Sequence, residues 1–412
     1  MKGARKRALG AGLGLVYCML ASSCGGSGDE FGGSTTTSST PSGANVAAVT
    51  VDLGPDGNSV NTLFVSVTVC VPGSTTNCQT IDHVEVDTAS YGLRLLSSVV
   101  MVPLPVQTLT SGASLLECTN FVQGYSWGPV VAADVQIAGE TASSLPVQVI
   151  GSSTFTSVPD DCTGLGTAVN TVAAFGANGI LGVGPFVQDC GSGCAEMAEP
   201  TSYYACTGTS DCVATAVAMT AQVQNPVGSF STDNNGVIVQ LPSVPAAGSA
   251  TLSGYLIFGI DTESNNASNA SGTETVLTVD EGDYLSATFN GQTLAQSFID
   301  SGTNGIYFND SSLPVCTESG LTDFYCPSST TSLSATLTGV NGVTASVQFS
   351  VANTDSLLNA NPSFAAFANL GGTFPGSTMS FDLGLPFYYG RRVATAIEGD
   401  TTTVGTGPYF AF

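Results

Sequence analysis

From Val46 onward, the chain is a series of short apolar or alternating segments separated by turn residues. Gly, Asn, Asp and Pro interrupt the apolar positions every few residues, which is typical of strands and turns. One segment, Val213–Val223, reads VATAVAMTAQV and predicts a helix that ends before Asn225-Pro226. The predicted strands include Thr62–Val71, His83–Val86, Val130–Ile137, Leu145–Ile150, Val237–Leu241, Tyr255–Ile260 and Val347–Val351.

Two similar ten-residue segments lie in the two halves of the chain. Val86–Leu95 reads VDTASYGLRL and Ile299–Phe308 reads IDSGTNGIYF, and the two align without a gap. Their aspartates, Asp87 and Asp300, are 213 positions apart. A repeat at this distance predicts a duplicated β-fold, with one half over residues 46–228 and the other over 229–412.

A weaker repeat follows each of these segments. Asn178–Phe186 reads NGILGVGPF, and Phe381–Phe387 reads FDLGLPF. Gly182 follows Ile180-Leu181, and Gly384 follows Asp382-Leu383. The two glycines lie 95 and 84 positions after Asp87 and Asp300, respectively. The order of Asp segment and Gly motif is therefore the same in both halves, which strengthens the prediction of a duplication.

The N-terminus has the features of an export signal. Met1–Gly10 carries four basic residues, and an apolar stretch from Ala8 to Ala21 ends at Cys24. One interpretation is an ordinary signal peptide over residues 1–24. The other is a bacterial lipoprotein in which Cys24 is acylated, followed by a flexible Gly/Ser/Thr linker over residues 25–45. By resemblance to such lipoproteins, we expect the outer membrane, with extracellular or periplasmic release as the alternative.

Removal of residues 1–24 makes the chain strongly acidic. Three basic residues, Arg94, Arg391 and Arg392, then face 31 acidic ones, giving a net charge of −28. Such a chain repels phosphate backbones, so we expect no nucleic-acid partner. We expect a monomer whose contact with a membrane is through the lipid anchor alone. Arg94 is expected to pair with a surface acid.

Ten cysteines follow Cys24, and an even number in an exported chain predicts up to five disulfides. The short spacings favour Cys70–Cys78 and Cys316–Cys326, and the remaining pairings are open. The only histidine, His83, can complete neither a zinc site nor a credible serine-hydrolase triad, so we expect no metal and no cofactor.

The two Asp segments carry the chemistry that the sequence offers. Two carboxyl groups in contact cannot both ionise cheaply, so one keeps a proton and the pair supplies both an acid and a base. Ser90 and Thr303 follow their aspartates at a distance that suits a hydroxyl-to-carboxylate hydrogen bond. Thr88 and Ser301 are expected to link the two loops, and Gly302 to let backbone N–H groups approach the carboxylates.

These loops resemble the two D-[ST]-G-[ST] loops of pepsin-like aspartic proteases, and the motifs around Gly182 and Gly384 resemble that family's hydrophobic-hydrophobic-Gly motifs. The resemblance implies an all-β, two-lobed fold with a cleft between the lobes and Asp87 and Asp300 as the catalytic pair. It also implies a flap hairpin in Phe121–Ile137. The candidates for its active residue are Phe121, Tyr125 and Trp127, of which Trp127 is expected to serve hairpin packing.

Further segments extend the resemblance along most of the chain. Val213–Pro226 resembles the helix after the first Gly motif, and Tyr255–Asp261 resembles the start of the second lobe. Gly384–Phe387 with Tyr389-Gly390-Arg391 resembles a functionally unassigned bacterial branch of this fold.

The sequence departs from the family pattern at three places. Ala89 stands where the family has Gly, Asp382 replaces an apolar residue of the second Gly motif, and no basic prosegment precedes the first lobe. The resemblance therefore implies an endopeptidase acting on polypeptides, while Ala89 keeps a non-catalytic protein that binds peptides, glycans or a protease as the alternative. A purely structural surface lipoprotein is a third interpretation.

Overall fold

The computed structural model describes residues 41–122, 124–267, 274–374 and 376–412. The predicted signal segment, Cys24 and the linker up to residue 40 lie outside these residues. Strands account for 42% of the described residues and helices for 8%. The strands of the first half are β1 Val46–Val51, β2 Leu63–Cys70, β3 Cys78–Asp87, β4 Tyr91–Leu96, β5 Ser114–Phe121, β6 Gly124–Ile137, β7 Glu140–Ile150, β8 Thr167–Ala168, β9 Gly179–Val183, β10 Tyr203–Thr207 and β11 Asp211–Ala214.

The second half continues the same all-β character. Its strands are β12 Gly236–Gln240, β13 Leu252–Phe258, β14 Val276–Thr278, β15 Leu285–Phe289, β16 Gln292–Ile299, β17 Ile306–Tyr307, β18 Thr331–Thr338, β19 Thr344–Val351, β20 Gly371–Gly372, β21 Asp382–Leu383, β22 Arg392–Ala396 and β23 Tyr409–Ala411. The helices are short: α1 Asp160–Thr163, α2 Val172–Phe175, α3 Ser192–Glu196 and α4 Thr354–Ala360, with 3-10 turns at Met219–Ala221, Pro226–Ser229 and Leu385–Phe387.

In the first half, β9 runs between β3 and β4. β3 is parallel to β9, with Asp87 opposite Gly182, and β4 is antiparallel to it, with Gly92 opposite the same residue. A Cβ atom on Gly182 would lie 2.6 Å from the carbonyl carbon of Ser90, so only glycine fits where the chain passes beside the Asp87 loop.

The second half repeats this arrangement with β16, β21 and β17. β16 is parallel to β21, and β17 pairs with β21 in the antiparallel sense. A Cβ on Gly384 would lie 2.5 Å from the carbonyl oxygen of Thr303, in the loop that follows Asp300. Each Asp loop is thus crossed by a chain segment with a closely packed glycine, Gly182 or Gly384, and the predicted two-lobed, pepsin-like fold is confirmed.

The two halves share a sheet. β1, the first strand of the described chain, pairs along its whole length with β13 of the second half, while only Thr50 and Val51 pair with β2. β13 continues through β12 to β22 and β23. The largest hydrophobic cluster accordingly contains residues from both halves, for example Val49, Leu181 and Leu383, each 1% exposed or less. Burial of this shared core stabilises the lobes against each other.

The β5–β6 hairpin is held along both edges. β10 pairs with β5 on the side away from β6, and β11 pairs with β10. Near the tip, β8 pairs with β6 at Gly124 and Tyr125. The Cys118–Cys162 disulfide joins β5 to α1.

The helix predicted over Val213–Val223 is wrong. Its first residues form the end of β11, and Met219–Ala221 makes only a 3-10 turn. The Cys206–Cys212 disulfide and the pairing of β10 with β11 hold this segment extended, which overrides the weak helical preference of an Ala/Val/Thr run.

The disulfides agree with the sequence where it favoured a pairing. Cys70–Cys78 and Cys316–Cys326 are both formed, as predicted. The other six of the ten cysteines after Cys24 pair as Cys118–Cys162, Cys190–Cys194 and Cys206–Cys212. Within the described residues, no helix has the length and apolar character needed to cross a bilayer.

Candidate active site

Asp87 ends β3 and is held by two donors of its own loop. The backbone N–H of Ala89 donates to Oδ1 at 2.8 Å, and the Ser90 hydroxyl donates to Oδ2 at 2.7 Å. The Asp87 side chain is 1% exposed. These hydrogen bonds replace those that the carboxyl group would make with water, so both of its oxygens have a partner inside the protein.

Asp300 follows β16 and has the equivalent pair of donors. The backbone N–H of Gly302 donates to Oδ1 at 2.7 Å, and the Thr303 hydroxyl donates to Oδ2 at 2.7 Å. The two loops thus satisfy their carboxyl groups in the same way, although one supplies a serine and the other a threonine.

Thr88 and Ser301 join the two loops across the lobe boundary. Ser301 N–H donates to the Thr88 hydroxyl at 3.0 Å, and Thr88 N–H approaches the Ser301 hydroxyl at 3.2 Å. The Ser301 hydroxyl donates to the carbonyl of Val86 at 2.8 Å. Since all of these atoms are buried, this reciprocal exchange fixes the distance between the two aspartates.

The two carboxyl groups are in hydrogen-bond contact with each other. Burial raises the pKa of Asp300 well above its ordinary value, and the negative charges of Asp87 and then Asp382 raise it further, while the Thr303 hydrogen bond acts in the opposite direction. The protonated form of Asp300 is therefore favoured.

Gly302 and Ala89 occupy the same position in the two loops. A Cβ on Gly302 would lie 2.7 Å from Cγ of Asp87 and 3.1 Å from Oδ1 of Asp300, so the backbone here passes against both carboxyl groups. Ala89 keeps the N–H that binds Asp87 and does not occupy the left-handed backbone region. The alanine therefore causes no backbone strain of that kind.

Asp382 brings a third carboxyl group to this region. It lies on β21 and is 2% exposed. Its partner on β16 is Phe298, which precedes Asp300 by two residues. The register places it on the strand that crosses the Asp300 loop, where its charge raises the pKa of Asp300. The equivalent residue of the first half, opposite Glu85 on β9, is Ile180.

The three hairpin candidates are packed into the first lobe. Phe121 is 7% exposed, with its ring 5.6 Å from that of Phe175 in an edge-to-face contact. Trp127 donates its indole N–H to the carbonyl of Phe155 at 3.0 Å and packs against Tyr204. Tyr125 belongs to the same cluster as Trp127. These aromatic side chains fasten the hairpin to the body of the lobe.

Two tyrosines beside the dyad were missed by the sequence reasoning. Tyr388 shares a hydrogen bond of 2.7 Å with the Thr88 hydroxyl and is fully buried. Tyr91 donates to Asp283 of the other half at 3.1 Å. Tyr388 directly precedes the Tyr389-Gly390-Arg391 motif, so its position was close to a recognised signal, whereas nothing in the sequence links Tyr91 to a residue 192 positions away.

Arg94 does not pair with a surface acid, and that expectation is wrong. Its side chain is 2% exposed and contacts both Glu117 and Asp189. Two acidic partners compensate for the loss of water around the Arg94 guanidinium group, and sequence position alone does not reveal them.

Among the described residues, no cluster of three or more His, Cys, Asp or Glu side chains is arranged to hold a metal ion.

Comparison with known proteins identifies a family model and structural neighbours. A family model described as "Protein of unknown function (DUF3443)" matches residues 41–412. Among solved structures, the chain is similar to an aspartic proteinase from Irpex lacteus, with a TM-score of 0.49 and 16% identity, over 89% of this chain and 96% of that chain. No curated protein matches the chain. The activity of this chain therefore has to be inferred from its own side chains.

Proposed function

The chain belongs to the DUF3443 family, and we propose that it is an aspartic endopeptidase that hydrolyses peptide bonds through Asp87 and Asp300. The observation that carries the proposal is the contact between the two carboxyl groups, each held by one backbone N–H and one hydroxyl. A fold kept only for packing has no need of two buried acids facing each other, because such a pair costs stability.

The proposed mechanism gives the two aspartates complementary tasks. We propose that Asp300, whose pKa is raised by burial and by the neighbouring Asp87, carries the proton and that Asp87 is the base that takes a proton from a water molecule. As that water attacks the peptide carbonyl carbon, Asp300 donates its proton to the carbonyl oxygen. The proton taken from water then passes to the amine nitrogen as the C–N bond breaks. A hydroxyl of the tetrahedral diol returns its proton to Asp300 as the product carboxyl group forms, so the pair ends with one proton as it began.

We also propose that the protein works outside the cytoplasm, attached by a lipid on Cys24. The basic start and apolar run before Cys24 support export, and the disulfide pairing of all ten later cysteines suits an oxidising compartment. The acidic net charge favours an acidic medium, in which partial protonation of the carboxylates reduces their mutual repulsion.

A second candidate is a binding protein that uses the same cleft without chemistry. Two observations favour it: Ala89 stands in the Asp87 loop where pepsin-like aspartic proteases have glycine, and Asp87 and Asp300 are 1% and 0% exposed. A buried pair has to become accessible before water and a peptide can reach it.

The proposed activity is tested with purified protein lacking residues 1–24 and a diverse peptide library. Asp87→Asn and Asp300→Asn should each abolish cleavage, because asparagine keeps the size of the side chain but cannot exchange the proton. Asp211→Asn makes the same change at an exposed strand residue and should leave the rate unchanged. The peptidase proposal fails if no peptide is cleaved between about pH 3 and 7, with or without Ala89→Gly.

A further inference from the structure

Arg94 lies at the centre of a buried group of polar side chains. It belongs to β4, the strand that follows the Asp87 loop, and its Nη1 donates to the carbonyl of Tyr91 at 2.7 Å. Its Nη2 donates to Glu117 Oε1 at 2.5 Å and to Asp189 Oδ2 at 2.8 Å, and its Nε donates to the Thr119 hydroxyl at 3.0 Å. Every N–H group of Nε and Nη2 therefore has an acceptor.

These contacts connect three parts of the first lobe. Glu117 and Thr119 belong to β5 of the hairpin, while Asp189 lies in the segment after β9. Tyr203 of β10 donates to Asp189 Oδ1 at 2.7 Å and accepts the N–H of Val223 at 2.8 Å. The strand after the Asp87 loop, the hairpin, and the strand that pairs with its outer edge are thus joined by one network.

The charges of this network do not balance unless it holds a proton. Arg94 brings one positive charge, and Glu117 and Asp189 bring two carboxyl groups, with side chains 2%, 2% and 13% exposed. The two carboxyl groups accept from the same nitrogen, Nη2 of Arg94, which brings them close together. Burial and the neighbouring Glu117 raise the pKa of Asp189 well above its ordinary value, although Arg94 and the Tyr203 hydroxyl act in the opposite direction.

The charge on Arg94 itself is secure. Burial lowers the pKa of its guanidinium, but Glu117 and Asp189 more than compensate, so the net direction is upward. The Tyr203 hydroxyl, the remaining titratable group of the network, also has its pKa raised well above the ordinary value, chiefly by burial and by Asp189. Arg94 and Tyr203 therefore keep their protons while the Asp189 carboxyl group gains or loses one.

We propose that Arg94, Glu117 and Asp189 form a positioning network that holds the β5–β6 hairpin against the strand behind Asp87 only while Glu117 and Asp189 share one proton. With the proton bound, the group is neutral and every contact is attractive. When the proton leaves to solvent, two buried carboxylates face each other across one guanidinium, and the excess negative charge favours separation of β5 from the Asp189 segment.

The role in catalysis rests on the proposed peptidase activity. Because Glu117 and Thr119 belong to β5, loss of their contacts with Arg94 would loosen the β5–β6 hairpin from the strand behind the Asp87 loop. The network would then impose an upper pH limit on substrate binding that is separate from the titration of the dyad.

The network is tested first by stability, which needs no activity. The raised pKa of Asp189 means that the folded state binds the proton more tightly, so stability is full below the unfolded pKa of about 4 and falls as pH rises to the folded value. In that window, the folding equilibrium constant of the wild type should fall about tenfold more per pH unit than that of Asp189→Asn. Denaturant unfolding at a series of pH values measures this difference.

Asp189→Asn is informative because a neutral amide imitates the protonated acid. Asp189→Asn should fold, and its folding equilibrium constant should no longer decrease with rising pH in that window. Glu117→Gln should behave in the same way. The exposed Asp211→Asn should keep the wild-type decrease. The proposal is overturned if Asp189→Asn shows the same pH dependence as Asp211→Asn. It is also overturned if both amide variants fail to fold, since the proton-bound state is the one said to be stable.

A second readout applies if the protein is a peptidase. The wild-type KM should rise with pH over the window in which the KM of Asp189→Asn stays constant, while the pH profile of kcat remains that of the dyad in both. An equal rise of KM in both proteins would contradict the positioning role. Absence of any cleavage would reject the peptidase proposal and leave the stability test intact.

Discussion

Gly302→Ala gives the sharpest test of the dyad geometry. Its Cβ would lie 2.7 Å from Cγ of Asp87, whereas ordinary van der Waals contact begins at 3.4 Å, so the carboxyl group must move by about 0.7 Å. The Gly302 backbone is outside the left-handed region, and the cost is therefore one of contact alone. Overpacking of this kind costs about 1–3 kcal/mol of stability.

The expected kinetic effect follows from the same displacement. A misplacement near 1 Å in a catalytic pair costs on the order of a hundredfold in rate. The displacement expected in Gly302→Ala should therefore lower kcat/KM by about 10- to 100-fold. The carboxyl groups would be farther apart, which weakens the effect of Asp87 on Asp300 and should move the alkaline limb of the kcat profile to lower pH. Peptide hydrolysis measured over a pH series gives both quantities.

Gly193→Ala is the matched control, because a Cβ there meets nothing within 4 Å. Ala89→Gly is the reciprocal change and should raise kcat/KM if the alanine methyl crowds the attacking water. If Gly302→Ala matches Gly193→Ala in rate, stability and pH profile, the inferred contact between Gly302 and the carboxyl group of Asp87 is wrong.

Three further outcomes are expected. Burial, Asp87 and Asp382 raise the pKa of Asp300, so the free energy of unfolding should fall as pH rises above about 4, and Asp300→Asn should reduce that fall in denaturant titrations. Gly124→Ala should lower the Tm, because Gly124 has a φ of +146° and a Cβ would collide with the backbone of Thr167. Cys24→Ala should leave the protein unlipidated by mass spectrometry, and a mature N-terminus well beyond residue 24 would reject the anchor.

The dyad loops could be predicted because their chemistry is local. Each Asp, its hydroxyl three residues later and the intervening N–H lie within four consecutive positions, so the hydrogen bonds to Asp87 and Asp300 are encoded by adjacent residues. The duplication then predicted that the two loops meet, since each half presents the same motif to the other. The strands were equally accessible, because alternation and turn residues are local as well.

The errors concern features that depend on distant partners. Val213–Val223 was predicted helical from its own composition, but β10 and a disulfide determine its conformation. Arg94 looked like a surface cation because its two acids come from positions 117 and 189. The contact of Tyr91 with Asp283 has the same origin. A single sequence carries no record of which remote strands become neighbours.

The pairing of β1 with β13 has a consequence for how this chain can be divided. Asn45, just before β1, donates its amide to the carbonyl of Phe258, and β1 then follows β13 for six residues, so the first strand completes the sheet of the opposite lobe. A lobe produced alone from residues 46–228 would expose one edge of β1, and its counterpart would expose β13. Chain cleavage near the lobe junction should consequently yield two fragments that remain associated, and circular permutation should be tolerated only where β1 keeps its place between the lobes.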